Sequence, residues 1–139
     1  MSNLQDVRPK AVAESEKITI NLGHIDLGHI DLLVQDGFYA NRTDLIRTAI
    51  RNQLERHADV TRQSVARKGL DLGLRRYGRA ELEGALAAGE RLNIRVLGLV
   101  AIEPDVTPEL ARAAIASLSV LGVLQASAPV KAALADRLC

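Results

Sequence analysis

The stretch from residue 17 to residue 22 alternates between apolar and polar side chains. One face holds Ile18, Ile20 and Leu22, and the other holds Lys17, Thr19 and Asn21. A period of two residues is typical of a half-buried β-strand. The stretch therefore predicts one short strand with an apolar face and a polar face.

The period then changes to that of an amphipathic helix over about residues 24–35. Gly23 precedes this helix, and Asp36-Gly37 predicts its C-terminal end. The apolar stripe of the helix consists of Leu27, Ile30, Leu33 and Val34.

A second amphipathic helix is predicted to begin after Asn41. Asn41 is a favoured N-cap residue, and Asp44 three residues later resembles a capping box. The helix start also offers free backbone N–H groups, the guanidinium of Arg42 and the hydroxyl of Thr43, which together suit a phosphate group. Its apolar face consists of Leu45, Ile46, Ala49, Ile50 and Leu54.

The predicted strand has no partner strand within this segment, although its backbone groups must be paired. The simplest partner is the same strand from a second copy of the chain, related by a two-fold axis. A two-stranded ribbon that exposes Lys17, Thr19 and Asn21 suits the major groove of DNA.

Composition narrows the classes of function. Apolar residues make up 47% of the 139 residues but aromatic residues only 2%, which argues against binding of single strands or RNA by base stacking. The single cysteine, Cys139, excludes a disulfide framework. No nucleophile–base pair, metal cluster or glycine-rich phosphate loop is recognisable, so we expect no enzyme, metal or cofactor. His24 and His29 are five residues apart and would point to different sides of a helix, so we do not expect them to bind one metal ion together.

The charges are unevenly distributed, although the net charge is only +1. From Arg42 to Arg79 there are ten Arg and Lys against four Asp and Glu, a balance of +6. From Ala80 to Cys139 there are five against seven, a balance of −2. The basic middle is consistent with contact with nucleic acid or with a solvated helix face. The absence of a long apolar run predicts a cytoplasmic protein without membrane contact.

A period of 24 residues runs through the last part of the chain. Leu70, Leu72, Leu82 and Leu86 recur as Ile94, Val96, Val106 and Leu110, and again as Leu118, Val120, Val130 and Leu134. The first copy is weaker, because its Leu72-Gly73 is out of step by one residue with the Leu-Gly of the other two copies. Each copy reads as an apolar strand, a turn and a short helix. Three such copies resemble a small leucine-rich-repeat-like solenoid with exposed edge strands. We therefore expect self-association beyond a dimer, and a capped monomeric module is the alternative.

The alternating strand, Gly37 and the string Asn41-Arg-Thr-Asp-Leu-Ile-Arg47 resemble the ribbon-helix-helix (CopG-like) family of bacterial DNA-binding proteins. The resemblance also rests on Asp31 and Val34, and covers about residues 17–57. Gly23-His24 departs from the Pro-Glu with which many members begin the first helix.

The resemblance implies an α+β fold, namely an intertwined ribbon-helix-helix homodimer with β-α-α in each chain, here followed by the β–α repeat solenoid. By position, Lys17, Thr19 and Asn21 would contact bases, and Asn41, Arg42 and Thr43 would contact phosphates. Arg47 and Arg51 would lie on the dimer surface or pair with Asp44 and Glu55. The dimer core would consist of Ile18, Ile20, Leu22, Leu27, Ile30, Val34, Leu45, Ile46, Ala49 and Ile50.

We therefore expect a flexible arm at 1–16, a DNA-binding domain at 17–58, a helical extension or linker at 59–68 and repeats at 69–139. The expected function is that of a transcriptional regulator, most simply a repressor. An antitoxin of a toxin–antitoxin pair and an architectural protein that coats DNA are the alternatives, and a small-molecule sensor in the repeats stays open.

Overall fold

The computed structural model of the chain describes residues 15–139. The described residues form two compact units, which we call the N-terminal unit, Lys17–Lys68, and the C-terminal unit, Gly69–Cys139 together with residues 15 and 16. All but two residues of the predicted arm at 1–16 lie outside the described part of the chain.

The N-terminal unit contains three helices: α1 at His24–Gln35, α2 at Arg42–Arg56 and α3 at Ala58–Lys68. Helix α1 ends in a Schellman motif, because Gly37 has a φ of +85° and the N–H of Phe38 donates to the carbonyl of Leu33 at 3.0 Å. Only His57 separates α2 from α3, and its carbonyl already accepts from Thr61 of α3.

Residues 17–22 form no strand in the single chain. The alternation of their side chains predicts one, but a strand exists only where its backbone pairs with another strand. Within the described residues of one chain, no other segment pairs with them. The predicted ribbon thus stays a prediction that requires a second chain.

The C-terminal unit alternates strands and helices. Its elements are β1 at Asp71–Tyr77, α4 at Arg79–Ala87, β2 at Leu92–Ile102, α5 at Pro108–Ala114, β3 at Ile115–Gln125, α6 at Ala128–Leu134 and a 3₁₀ turn at Ala135–Arg137. The strands form a parallel sheet in the order β1-β2-β3. Each strand thus pairs with the next one along the chain, and the helices connect them.

Helices α4, α5 and α6 cover one face of this sheet. Helix α5 packs between α4 and α6. Thr107 and Ser127 cap α5 and α6, each followed by a proline in the first turn. The shared core is entirely aliphatic apart from the half-buried Tyr77, and its fully buried members include Leu82, Val96, Val100, Ile115, Leu118, Val130 and Leu134.

The strand register agrees with the 24-residue period in the last two repeats and departs from it in the first. Val96 lies beside Val120, as the period predicts. Leu72, however, lies beside Leu97 rather than Val96, which is the offset of one residue expected for Leu72-Gly73 in the first copy. The reason is a column of three glycines, Gly73, Gly98 and Gly122, which lie side by side across the sheet.

Each glycine of this column has a positive φ, namely +114°, +139° and +127°. A Cβ atom on Gly98 would overlap the carbonyl oxygen of Gly73, and one on Gly122 would overlap the carbonyl oxygen of Gly98. Only glycine combines this backbone conformation with so close an approach of the preceding strand. The column therefore sets the register of the sheet.

The C-terminal residues cover one end of the outer edge of β3. Leu138 forms a parallel bridge with Leu118, and the N–H of Cys139 donates to the carbonyl of Leu118 at 3.0 Å. This contact lies before the glycine column, so the second half of β3 has no such cover within the described residues.

Candidate nucleic-acid interface

The three residues predicted to contact bases, Lys17, Thr19 and Asn21, are exposed in the single chain. The apolar residues between them are exposed as well: Ile18 is 74% and Ile20 is 59% accessible. Because both faces of the segment are in water, its alternating apolar side chains are not buried and do not stabilise it as a strand. The segment is therefore available for pairing on both its backbone and its apolar face.

The predicted dimer core shows the same incompleteness. None of its ten residues is buried within one chain. Ile18, Ile20, Leu22, Ala49 and Ile50 are exposed, whereas Leu27, Ile30, Val34, Leu45 and Ile46 are half-buried. No residue of α1, α2 or α3 is buried. A domain of three helices without a buried residue lacks a core of its own, which is the state expected of half a dimer.

The start of α2 is a capped helix N-terminus. The side-chain oxygen of Asn41 accepts from the N–H of Asp44 at 2.8 Å, and the carboxylate of Asp44 accepts from the N–H of Ala40 at 3.0 Å. The capping-box geometry is thus present, with the second bond one residue earlier than in the usual motif. Capping uses the amide oxygen of Asn41 and leaves its amide nitrogen as the group that can donate to a phosphate.

Arg42 is held by Asp31 of α1. Its Nε and Nη2 donate to the two carboxylate oxygens of Asp31 at 2.7 and 2.8 Å, a bidentate ion pair between the two helices. The hydrogen bond from Arg42 lowers the pKa of Asp31, and the same bond raises the pKa of Arg42. Because the pKa of Asp31 is lowered on folding, the pair stabilises the fold at neutral pH and is lost as the pH falls through the folded-state pKa.

This ion pair changes the electrostatics of the predicted phosphate site. Asp31 and Asp44 place two negative charges near the one cation at the helix start. A guanidinium has five N–H donors, so three of those of Arg42 remain beyond its two bonds to Asp31. An anion at this site would also meet the backbone N–H groups of Arg42 and Thr43, which belong to the first turn and have no acceptor within the helix.

The sequence did not indicate this pairing. Asp31 and Arg42 are eleven residues apart, whereas sequence reasoning recognises helical pairs at three or four residues. Arg47 and Arg51 were expected on the dimer surface or paired with Asp44 and Glu55. The structure shows no such ion pair among the described residues, and the Nε of Arg51 donates to the carbonyl of Arg47 at 3.4 Å.

The basic middle of the chain also spans two units. Arg75, Arg76 and Arg79 belong to β1 and α4 rather than to the predicted DNA-binding domain. Each forms an exposed ion pair within the C-terminal unit, with Asp71, Glu103 and Glu83 respectively. The charge excess available to DNA in the N-terminal unit is therefore smaller than the sequence count implied.

A scan against protein families identifies the chain. The model of a ribbon-helix-helix transcriptional regulator family matches residues 13–131, so it includes the N-terminal unit and all three strands of the sheet. The resemblance to leucine-rich repeats has no such support. Searches of curated proteins and of solved structures give no match. No helix in the described residues is long and apolar enough to span a membrane. From the family match we conclude that the chain belongs to the ribbon-helix-helix family of transcriptional regulators.

Proposed function

We propose that the protein is a homodimeric repressor that binds a specific double-stranded DNA sequence through a two-stranded ribbon. The observation that carries this proposal is that all ten dimer-core residues stay unburied in one chain. Pairing residues 17–22 of two chains would satisfy the backbone of both segments and cover Ile18, Ile20 and Leu22. The family to which the chain belongs supports the proposal.

In this dimer the ribbon would present Lys17, Thr19 and Asn21 of each chain to the major groove. Their hydroxyl, amide and ammonium groups can bond to base edges, which differ from one base pair to another. Asn41, Arg42 and Thr43 would contact the phosphates beside the groove and so determine how the ribbon is placed. Asp31 would then act as a positioning residue that holds the guanidinium of Arg42.

Sequence preference tests the base contacts. We expect Thr19→Ala or Asn21→Ala to reduce discrimination between operator and random DNA by about 1–3 kcal/mol, roughly fivefold to 150-fold, with a smaller loss on random DNA. The operator is first selected from random sequences with the wild-type protein, and both affinities are then measured by fluorescence anisotropy. Unchanged discrimination in both variants would refute these base contacts.

Arg42 and Asp31 provide a matched pair for the phosphate contact. Arg42→Ala and Asp31→Ala both break the same ion pair, so both lose whatever stability it contributes. Only Arg42→Ala removes a positive charge that would contact the DNA. We expect it to weaken binding to all sequences and to reduce the slope of log affinity against log salt by about 1 per subunit, whereas Asp31→Ala keeps the wild-type slope or steepens it.

Equal slopes for wild type and Arg42→Ala would show that Arg42 serves the fold and not the DNA. The comparison is made at fixed pH near neutrality, where Asp31 is ionised.

We further propose that the C-terminal unit brings repressor dimers together. Its own aliphatic core argues against the antitoxin alternative, because toxin-binding tails are typically disordered until they bind. Operator binding and DNA coating differ in footprint length. At protein concentrations below those at which dimers associate, we expect a footprint of fixed length; a footprint that lengthens along random DNA at these concentrations would favour the architectural alternative.

A further inference from the structure

The proposed self-association of the C-terminal unit has a specific geometry. We propose that β3 of one copy adds to the free edge of β1 of another copy, in parallel, with Gly122 beside Gly73. The sheet would then continue from copy to copy as β1-β2-β3-β1-β2-β3. This inference rests on the proposed self-association and does not require DNA binding.

Among the described residues, the unpaired edges of β1 and β3 match in extent. In the observed register, Val120 and Gln125 of β3 occupy the positions that Asp71 and Arg76 occupy in β1. The part of β3 beyond the contact with the C-terminal residues therefore corresponds to nearly the whole of β1, which spans Asp71–Tyr77. By the same register, Leu118 and its bridge to Leu138 would fall before the start of β1. The cover at one end of β3 thus leaves free the part of the edge that the added strand needs.

The backbone of β1 already has the conformation that accepts a neighbour. Gly98 and Gly122 have a positive φ, and the hydrogen in place of their Cβ faces the carbonyl of the preceding strand. Gly73 has the same conformation, with a φ of +114°, but a Cβ atom on it would meet nothing within 4 Å. The space beside Gly73 is where the carbonyl of Gly122 from another copy would lie.

The outer face of the sheet supports the same arrangement. Leu72, Leu97 and Leu121 form a row across the three strands on the face that the helices leave uncovered. The two ends of this row are exposed, Leu72 by 67% and Leu121 by 51%, whereas Leu97 between them is only half-exposed. Stacking would place Leu121 of one copy beside Leu72 of the next, so each end would cover the other.

One feature limits the strength of this contact. Asp71 and Arg75 lie on β1 at positions whose partners in β2, Val96 and Val100, are fully buried. They form an ion pair of 3.4 Å and so cancel one another's charge. An added strand would nevertheless displace part of the water that hydrates them. Charged residues on an edge strand weaken its pairing. The association is therefore reversible and depends on concentration, and because it joins two different edges, it extends into chains or closes into rings.

Cross-linking tests which edges meet. In a full-length Cys139→Ser background, one chain carries Leu72→Cys and a second carries Leu121→Cys, and a short bismaleimide reagent is added. Neighbouring strands lie about 5 Å apart, so we expect a rapid cross-link in the mixture and little in either chain alone. A cross-link in the Leu72→Cys chain alone would mean that two β1 edges pair, and it would overturn the proposal; so would the absence of any cross-link.

Sedimentation of the full-length chain tests the role of Gly73. Gly73→Ala places a methyl group where the carbonyl of the next copy would lie, and we expect it to weaken association beyond the dimer by roughly tenfold or more. Gly89→Ala is the control, because Gly89 also has a positive φ, +73°, and open space around it, but lies in the turn after α4. Equal weakening in both variants, or a wild-type protein that stays dimeric at high concentration, would overturn the proposal.

Affinity for one operator, measured well below the concentration at which dimers associate, is the readout of the DNA-binding proposal. It should be the same in wild type and Gly73→Ala. A protein that cross-links as expected but does not bind DNA would refute the proposed repressor and would still support the association of β3 with β1.

Discussion

Replacing Gly98 or Gly122 with alanine is expected to unfold the C-terminal unit. In both variants the new Cβ would overlap a backbone carbonyl of the preceding strand, which cannot move without breaking the sheet. The residue would also have to keep a positive φ, +139° or +127°, which is strained for alanine. Together the two effects cost about 3 kcal/mol or more, a large part of the stability of a small domain.

Hydrogen exchange followed by mass spectrometry measures this effect locally. Amides of residues 92–125 should lose protection in Gly98→Ala and Gly122→Ala. Gly84→Ala is the control, because Gly84 lies inside α4 with open space around it and should be neutral or stabilising by about 1 kcal/mol. Undiminished protection of β2 and β3 in Gly98→Ala would show that the glycine column is not required.

Ile20→Asp is expected to abolish the dimer and, with it, specific DNA binding. Ile20 is 59% exposed in one chain, and in the proposed ribbon it becomes buried in both chains. Burial of an isoleucine side chain contributes about 1.5–3 kcal/mol, so its loss from both chains should weaken dimerisation by at least about a hundredfold, before the added cost of burying a carboxylate.

Sedimentation velocity gives the dimer dissociation constant, and circular dichroism shows whether α1, α2 and α3 persist in the monomer. Val60→Asp is the control, because Val60 is 67% exposed on α3 but lies outside the proposed dimer core. A dimer of Ile20→Asp as tight as wild type would refute the ribbon as the basis of dimerisation.

The helices of the N-terminal unit were predictable because their signals are local. A glycine at the end of α1, an N-cap at Asn41 and apolar residues at helical spacing act within a few positions of the chain. The ion pair between Asp31 and Arg42 was not predictable in the same way, because it depends on how α1 and α2 pack. The residues of the phosphate site could therefore be named from the sequence, but the ion-pair partner of Arg42 could not.

In the repeats as well, the features with local sequence signals were predictable, whereas those that depend on packing between elements were not. The strand and helix alternation follows from hydrophobic spacing, and Leu82 and Val130 are both fully buried, as the period predicts. In the first repeat, the spacing of apolar residues and the position of the Leu-Gly pair disagree by one residue, and the sequence alone does not decide between them. The close approach of two backbones at the glycines decides the register.

The strand order has a consequence for how the C-terminal unit forms during synthesis. Each strand pairs with its successor in the chain, at a separation of about one repeat. Such contacts close with less loss of chain entropy than pairings between strands farther apart in the chain. The pair of β1 and β2 can therefore assemble while β3 is still being translated. The outer edge of β2 then stays unpaired until β3 of the same chain is available. Slow translation between β2 and β3 would lengthen the time for which that edge stays open, and it would raise the chance that β3 of another nascent chain joins it.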